Sequence, residues 1–163
     1  MDYTVKNKKG IRMKVFDYII IGGGRASNLA VTLSKAGKRI ALIEKSALGG
    51  TCPNRGCVPS KLLIGYAHVA RAIKESHRHF IKSSIQHIDT QKIFDETNAY
   101  ISKIDPRYAS RFNENVSVYK QRGFFVSNKI VQVGEEHITA ENIIIATGTR
   151  PKPAPYKHAW TSD

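Results

Sequence analysis

The chain has 163 residues, of which 41% are hydrophobic, enough to fill the core of one well-buried domain. No apolar run reaches the roughly 18 residues of a membrane-spanning helix, and the start lacks a signal-peptide pattern, so we expect a soluble, cytoplasmic protein with no membrane partner. The formal net charge of +13 suits anionic partners, but no zinc-finger, homeodomain-like or RNA-binding motif accompanies it, so we expect no nucleic acid.

The first twelve residues are polar and lack periodicity. We therefore expect residues 1–12 to form a flexible basic extension, with the fold beginning at Met13. An upstream start codon, a cloning remnant and a basic arm with a partner of its own all remain open as explanations for this segment.

A strand–helix–strand pattern opens the fold. The apolar run Phe16–Ile21 predicts a buried parallel strand that enters a tight, glycine-rich turn. Residues 25–36 carry apolar side chains at helical spacing and predict a helix with Gly37 as its C-cap, and residues 39–43 predict a second buried strand. Together they predict a βαβ unit.

The turn of this unit carries a nucleotide-binding pattern. Gly22 and Gly24 fit a G-x-G-x-x-G frame in which Ser27 replaces the third glycine. Glu44 lies 22 residues beyond Gly22, the distance expected for a carboxylate that accepts ribose hydroxyls. Serine is small enough to keep the helix close to the strand, so phosphate binding should survive. The alternative is an ordinary glycine-rich bend.

Further helices and strands follow. Residues 59–80 predict a helix, and Thr90 should cap a second helix that Pro106 stops. Asn142–Ala146 predicts a last apolar strand. Four short, turn-separated strands predict a small antiparallel β-meander: Val116–Tyr119, Gly123–Ser127, Ile130–Val133 and His137–Thr139.

Cys52 and Cys57 are the only cysteines, and they stand in the run GGTCPNRGCVPSK with four residues between them. A disulfide closing so short a loop would restrain the unfolded chain little, so electron exchange is a better reason for the pair than stability. Two reduced, buried thiols or half of a zinc site are the alternatives. The histidines have poor ligand spacing for zinc, and we expect no metal.

Four segments together resemble the N-terminal FAD-binding region of the pyridine nucleotide–disulfide oxidoreductases, a family that includes dihydrolipoyl dehydrogenase, mercuric reductase and mycothione reductase. These segments are GGTCPNRGCVPSK, IIIGGG, LIEK and TAENIIIATGTRP. The resemblance runs from Val15 to Pro153. It implies an α/β, Rossmann-like FAD-binding domain over residues 13–150, with a parallel sheet, flanking helices and a redox-active disulfide.

The resemblance also implies the cofactor contacts. The glycine turn would hold the FAD pyrophosphate and Glu44 the adenosine ribose, while other residues would lie along the flavin or form a second FAD-contacting turn. The implied cofactor-binding residues are Gly22, Gly24, Glu44, Lys45, Gly50, Thr51, Ala146, Thr147 and Gly148.

Three residues would carry the chemistry. The resemblance makes Cys57 the flavin-side thiol, Cys52 the interchange thiol that attacks the substrate disulfide, and Lys61 the cation that stabilises reduced flavin. A first-turn Pro59 and the nearby Lys61 favour the thiolate of Cys57, because a helix N-terminus and a cation both stabilise a negative charge. Electrons would pass from NAD(P)H to FAD, then to the cysteine pair and a lipoyl-type or small-molecule disulfide.

The family's other functional parts have no counterpart in these residues. The sequence contains neither a second glycine-rich nucleotide motif nor the family's C-terminal histidine–glutamate pair, and residues 151–163 predict a proline-rich linker toward a missing NAD(P)H domain. We expect a piece of a longer homodimeric protein, a truncated product or a degenerate remnant that is inactive alone. A non-catalytic flavin-binding or redox-sensing module is the alternative. Ile104-Asp105-Pro106 resembles mycothione-reductase sequences, but dihydrolipoyl-dehydrogenase-like remains the broad assignment.

Overall fold

The computed structural model describes residues 4–6, 10, 12–150, 152 and 156. These residues form two compact units. The first, which we name the sheet unit, comprises the described residues up to Gly50 and from Asp105 onward. The second, the helical unit, comprises Thr51–Ile104.

The sheet unit contains a seven-stranded mixed sheet and one long helix, α1 (Ser27–Lys35). Its order is β4-β3-β2-β7-β6-β5, with β1 also paired to β2. The strands β4, β3, β2 and β7 run parallel, whereas β7, β6 and β5 are antiparallel. The strands are β1 (Thr4–Lys6), β2 (Arg12–Ile21), β3 (Ile40–Ile43), β4 (Val116–Tyr119), β5 (Gly123–Ser127), β6 (Ile130–Val133) and β7 (Glu136–Ile145).

The central strands are apolar because both faces of this part of the sheet are covered. All four residues of β3 are buried, and Ile19 and Ile20 of β2 are fully buried. Side chains on the two sides of the sheet form two core clusters, one around Ile19 and Val131 and the other around Ile20 and Ala30. The predicted Rossmann-like architecture is confirmed.

Helix α1 ends one residue before the predicted boundary, with Ala36 as its C-cap and Gly37 directly after the cap. Gly37 adopts a left-handed φ of +76°, and its N–H donates to the carbonyl oxygen of Ser34. The N–H of Lys38 reaches back to the carbonyl oxygen of Leu33. This pair of hydrogen bonds is a Schellman motif, which satisfies carbonyl groups at the end of the helix before the chain turns into β3.

The helical unit holds the cysteine segment. Its elements are α2 (Thr51–Arg55), α3 (Cys57–Glu75), a short 3-10 helix (Ser76–His79) and α4 (Thr90–Ile101), and a last short helix, α5 (Ile104–Ala109), begins at its end. Helix α3 starts two residues earlier than predicted, with Gly56 at its N-cap. Among the described residues, no helix is both long and apolar enough to cross a membrane.

Two predicted helix boundaries are wrong. The cap of α4 is Asp89 instead of Thr90: its Oδ1 accepts the N–H of Lys92 at 2.9 Å. Pro106 does not stop a helix, because α4 has already ended at Ile101 and Pro106 lies in the first turn of α5. Proline is tolerated there since the first four N–H groups of a helix have no intrahelical acceptor.

The meander prediction is confirmed for β5, β6 and β7 and wrong for β4. Val116–Tyr119 pairs parallel to Ile40–Ile43, so this strand extends the parallel part of the sheet. The predicted strands His137–Thr139 and Asn142–Ala146 fall in the single strand β7. This strand pairs with β6 on one side through residues 136–139 and with β2 on the other side through residues 137–145.

The two ends of the chain are described only in part. Within the expected flexible extension 1–12, Thr4–Lys6 pairs antiparallel with Arg12–Lys14, so these residues differ from that expectation. Residues 1–3, 7–9 and 11 lie outside the described residues, as does the predicted linker 151–163 apart from residues 152 and 156.

Candidate nucleotide and thiol sites

The carboxyl ends of three parallel strands meet at one edge of the sheet unit. The N–H of Gly22, just after β2, donates to the carbonyl oxygen of Ile43 at 2.8 Å, and the N–H of Ala146, just after β7, donates to Ile21 at 2.8 Å. In open α/β sheets, ligands bind in the crevice outside the carboxyl ends of the strands. The glycine turn, Glu44 and the segment 146–148 therefore converge at the edge where such a ligand binds.

Gly22 must be glycine at this edge. Its φ is +115°, and a Cβ there would overlap the carbonyl oxygen of Ala146. Gly50 is similarly constrained, with φ +73°, because its Cβ would lie 2.9 Å from the Cα of Gly24. Two backbone segments thus approach the glycine turn more closely than any side chain would allow.

Glu44 holds the turn through both carboxylate oxygens. Oε2 accepts the N–H of Gly23 and Oε1 accepts the N–H of Ser46, each at 2.8 Å. A carboxylate has about four acceptor sites, so two donors leave capacity for further hydrogen bonds. Glu44 is only partly buried, and it can still accept hydroxyl groups of a ligand.

The turn also presents backbone donors at the start of α1. The N–H groups of Gly24, Arg25 and Ala26 donate to no other described residue. Ser27 is buried, and its hydroxyl donates to the carbonyl oxygen of Gly24 at 2.7 Å, so the serine in place of the third glycine is accommodated. Three open N–H groups at a helix N-terminus fit a phosphate, and the exposed Arg25 adds a positive charge.

A cavity of about 380 Å³ opens beside the turn in the sheet unit. Three cationic residues and one carboxylate residue line this cavity, and this excess of positive charge favours an anionic ligand. The lining residues are Ile21, Gly22, Ile43, Glu44, Lys45, Gln121, Arg122, Gly123, Thr147, Gly148, Thr149 and Arg150.

The helical unit brings the two thiols together. Cys57 is the first residue of α3, and Cys52 lies in α2. Gly56 permits the tight turn between them, because a Cβ there would lie 3.3 Å from the Cα of Cys52. Both cysteines are exposed free thiols, so the alternative of two buried thiols is wrong.

The neighbouring Cys57 changes the tendency of the Cys52 thiol to lose a proton. A hydrogen bond to Cys57 raises the pKa of the Cys52 thiol above its ordinary value, and the charge of Lys61 opposes this with a smaller effect. The hydrogen bond raises that pKa because Cys52 is the donor and the sulfur of Cys57 the acceptor. The Cys52 thiol therefore holds its proton more firmly than an ordinary thiol. Cys57 is the first residue of a 19-residue helix.

The sequence-predicted residues divide between the two units. Eight of the twelve lie at the edge of the sheet unit described above: Gly22, Gly24, Glu44, Lys45, Gly50, Ala146, Thr147 and Gly148. Thr51, Cys52, Cys57 and Lys61 belong to the helical unit. Sequence reasoning missed Arg25, Arg122 and Arg150. Arg122 follows β4, and recognising that strand as parallel would have placed it at this edge.

Comparison with known proteins identifies the family. The family model described as "Pyridine nucleotide-disulphide oxidoreductase" matches residues 16–161. The chain belongs to the pyridine nucleotide-disulphide oxidoreductase family. Membership confirms the resemblance seen in the cysteine and glycine segments and implies FAD and NAD(P)H as the family's cofactors.

Individual members of this family are similar over most of the chain. Dihydrolipoyl dehydrogenase of Chlamydia pneumoniae is 37% identical over 145 residues, which cover 86% of this chain and 32% of the relative. Mycothione reductase of Mycobacterium tuberculosis is 34% identical over 151 residues, which cover 85% of this chain and 32% of the relative. The solved structure of the HOCl-induced flavoprotein disulfide reductase RclA from Escherichia coli superposes with a TM-score of 0.70 at 32% sequence identity. The match covers 86% of this chain and 30% of that protein. The chain thus spans about a third of these relatives.

Proposed function

We propose that this chain is the FAD-binding and redox-thiol part of an NAD(P)H-dependent flavoprotein disulfide reductase. Three observations support this: the anion-accepting edge of the sheet unit, the hydrogen-bonded thiol pair at a helix N-terminus, and membership of the family. The thiol pair carries the most weight, because a nucleotide edge alone occurs in many enzymes of unrelated chemistry.

The residues of the sheet unit would hold the dinucleotide. The open N–H groups of Gly24, Arg25 and Ala26 would receive the pyrophosphate, and Glu44 would accept the ribose hydroxyls. Lys45 lies beside Glu44 in the cavity lining and would add positive charge. When bound, FAD would supply the chemistry that converts a hydride from NAD(P)H into an electron pair for a disulfide.

A second group of residues would contact the flavin and complete the cofactor site. Gly50 and Thr51 would lie along the flavin, and the segment Ala146, Thr147 and Gly148 would form the second contacting turn. Residues 13–150 would form the FAD-binding part, with 151–163 as a connecting segment. Lys61, one turn into α3, would place its ammonium near the flavin.

The two thiols would then perform disulfide exchange. The sulfur of Cys52, once deprotonated, would attack one sulfur of the substrate disulfide, forming a mixed disulfide and releasing one substrate thiolate. The sulfur of Cys57 would attack Cys52, closing the Cys52–Cys57 disulfide and releasing the second thiolate. Because its hydrogen bond to Cys57 raises the pKa of Cys52, a base must remove that proton before the first step.

The substrate and partners follow from the same proposal. The relatives' names point to a lipoyl-type or other small-molecule disulfide, and we favour dihydrolipoyl-dehydrogenase-like chemistry. The electron donor would be NAD(P)H bound by residues outside this chain, and the whole protein would be a homodimer whose partner subunit completes the substrate site.

FAD binding by the purified 163-residue chain tests the first part of this proposal. We expect the flavin's visible absorbance to co-elute with the protein, and Glu44→Ala to weaken FAD binding by on the order of ten-fold because a ribose acceptor is lost. Glu141→Ala removes an exposed glutamate of β7 and serves as the control. Failure of the wild-type chain to bind FAD would contradict the proposal. NAD(P)H alone should not bleach the bound flavin.

A further inference from the structure

Asp105 connects three segments of the sheet unit. Its Oδ1 accepts the N–H of Leu48 at 2.7 Å, although the two residues are 57 positions apart. The same oxygen accepts the ammonium of Lys120, which follows β4. Burial acts to raise the pKa of Asp105, but the hydrogen bonds from Lys120 and Leu48 outweigh it and hold the pKa below its ordinary value. The carboxylate is therefore charged and held from two sides.

Leu48 in turn supports the glycine turn. Its side chain is fully buried, and its Cδ2 would lie 2.6 Å from a Cβ at Gly23. The next N–H, that of Gly49, donates to the carbonyl oxygen of Gly23 at 2.8 Å, and Gly50 lies directly against Gly24. The segment 48–50 thus packs against Gly23 and Gly24, where the turn that presents the open N–H groups begins.

We propose that Asp105 is a positioning residue for nucleotide binding: by fixing Leu48, it holds segment 48–50 against the glycine turn in the form that accepts the FAD pyrophosphate. The identity of the ligand as FAD rests on the proposed function, whereas the contact between Asp105 and Leu48 does not. If the turn opened in part of the population, the apparent association constant for FAD would be multiplied by the fraction of molecules in which the turn stays closed.

Asp17 provides a matched control within the same unit. Its carboxylate also accepts one backbone N–H, that of Arg39 at 2.6 Å, and also pairs with a cation, the guanidinium of Arg39 at 3.8 Å. The side chains of Asp17 and Asp105 are similarly exposed, at 39% and 36%. Asp17 acts at the amino end of β3, whereas the glycine turn lies at the carboxyl end of the parallel strands.

The experiment compares Asp105→Ala, Asp105→Asn and Asp17→Ala in the full chain by FAD titration and by amide hydrogen exchange without FAD. We expect Asp105→Ala to weaken FAD binding on the order of ten-fold, because it removes the charged, partly buried acceptor that holds Leu48. It should also speed exchange at Leu48 and Gly49 relative to Asp17→Ala. Asp105→Asn keeps an acceptor for the N–H of Leu48. Its FAD affinity and its exchange rates at Leu48 and Gly49 should therefore stay close to those of the wild-type chain.

Equal exchange at Leu48 and Gly49 in Asp105→Ala and Asp17→Ala would overturn the inference, whether or not FAD binds. Equal loss of FAD affinity in these two variants would also overturn it, because a general loss of stability would then explain both. A wild-type chain that shows the expected exchange pattern but binds no FAD would instead contradict the proposed function alone.

Discussion

Replacing Gly22 by alanine tests the backbone geometry at the edge of the sheet unit where the glycine turn meets the segment 146–148. Gly22 combines a φ of +115° with a position where a Cβ would overlap the carbonyl oxygen of Ala146. That oxygen cannot move away freely, because the neighbouring N–H of Ala146 is bonded to Ile21 and Gly22 itself is bonded to Ile43. The substitution therefore strains the backbone and separates β2 from β7 at their carboxyl ends.

The magnitude follows from these two effects. A residue held in a disfavoured backbone region costs about 1–3 kcal/mol, and forcing extra atoms into a packed site costs a further 1–3 kcal/mol or so. We therefore expect Gly22→Ala to lower the free energy of unfolding by about 2–6 kcal/mol, against a typical total of about 5–15 kcal/mol. Gly37→Ala is the control, since φ is +76° but no atom lies within 4 Å of its Cβ position.

Urea denaturation followed by far-ultraviolet circular dichroism measures both variants. Gly37→Ala should cost only about 1–2 kcal/mol, the penalty for left-handed backbone without a clash. Gly22→Ala should unfold at clearly lower urea concentration than Gly37→Ala. If the two midpoints coincide, the close approach of Ala146 to the glycine turn is not a feature of the folded protein, and the reasoning about this edge fails.

Three further predictions concern local interactions. Asp89→Ala removes the cap of α4 and should cost about 1 kcal/mol in urea unfolding, whereas Thr90→Ala should cost less. Alkylation of Cys52 should require a higher pH than that of an ordinary thiol. Cys57→Ala removes the side-chain partner and should shift this pH profile downward, and an unchanged profile would contradict the hydrogen bond. The hydrogen bond from Lys14 lowers the pKa of Glu136. The stabilisation from this pair, under about 1 kcal/mol after solvent screening, is therefore present above the ordinary pKa of a glutamate and is lost as the pH falls below it. Glu136→Gln should flatten that acid-side loss in thermal unfolding.

The proximity of the glycine turn to Glu44 was predictable because its signals are local. Strand, glycine turn, helix and terminal glutamate follow one another within about 30 residues, and the parallel-strand rule then places their ends together. The cysteine segment was predictable for the same reason. In both cases spacing along the chain determines proximity in space.

Strand partners were harder to predict than the strands themselves. Val116–Tyr119 has the expected bounds, but alternation of side chains does not say which strand it pairs with, and sequence order suggested the meander. Its parallel pairing with β3 brings Arg122 to the cavity. The cationic lining was therefore missed because of an error in topology.

Contacts between distant positions left no pattern in the sequence. In the sequence, Asp105 is notable only because it precedes a proline. No neighbouring residue indicates that its carboxylate accepts the N–H of Leu48. The helix boundary was misjudged at the same place, because proline disfavours a helix interior but not a first turn. Such contacts depend on how the sheet unit closes.

Electron uptake by the FAD-loaded chain shows whether the cysteine pair exchanges electrons with the flavin. In an anaerobic dithionite titration, bound FAD takes up two electrons, and a Cys52–Cys57 disulfide that communicates with it takes up two more. The account predicts four electrons per bound FAD for the oxidised wild-type chain and two for Cys57→Ser. Two electrons in both proteins would show that the thiol pair does not exchange electrons with the flavin, and the disulfide-reductase assignment would then be contradicted.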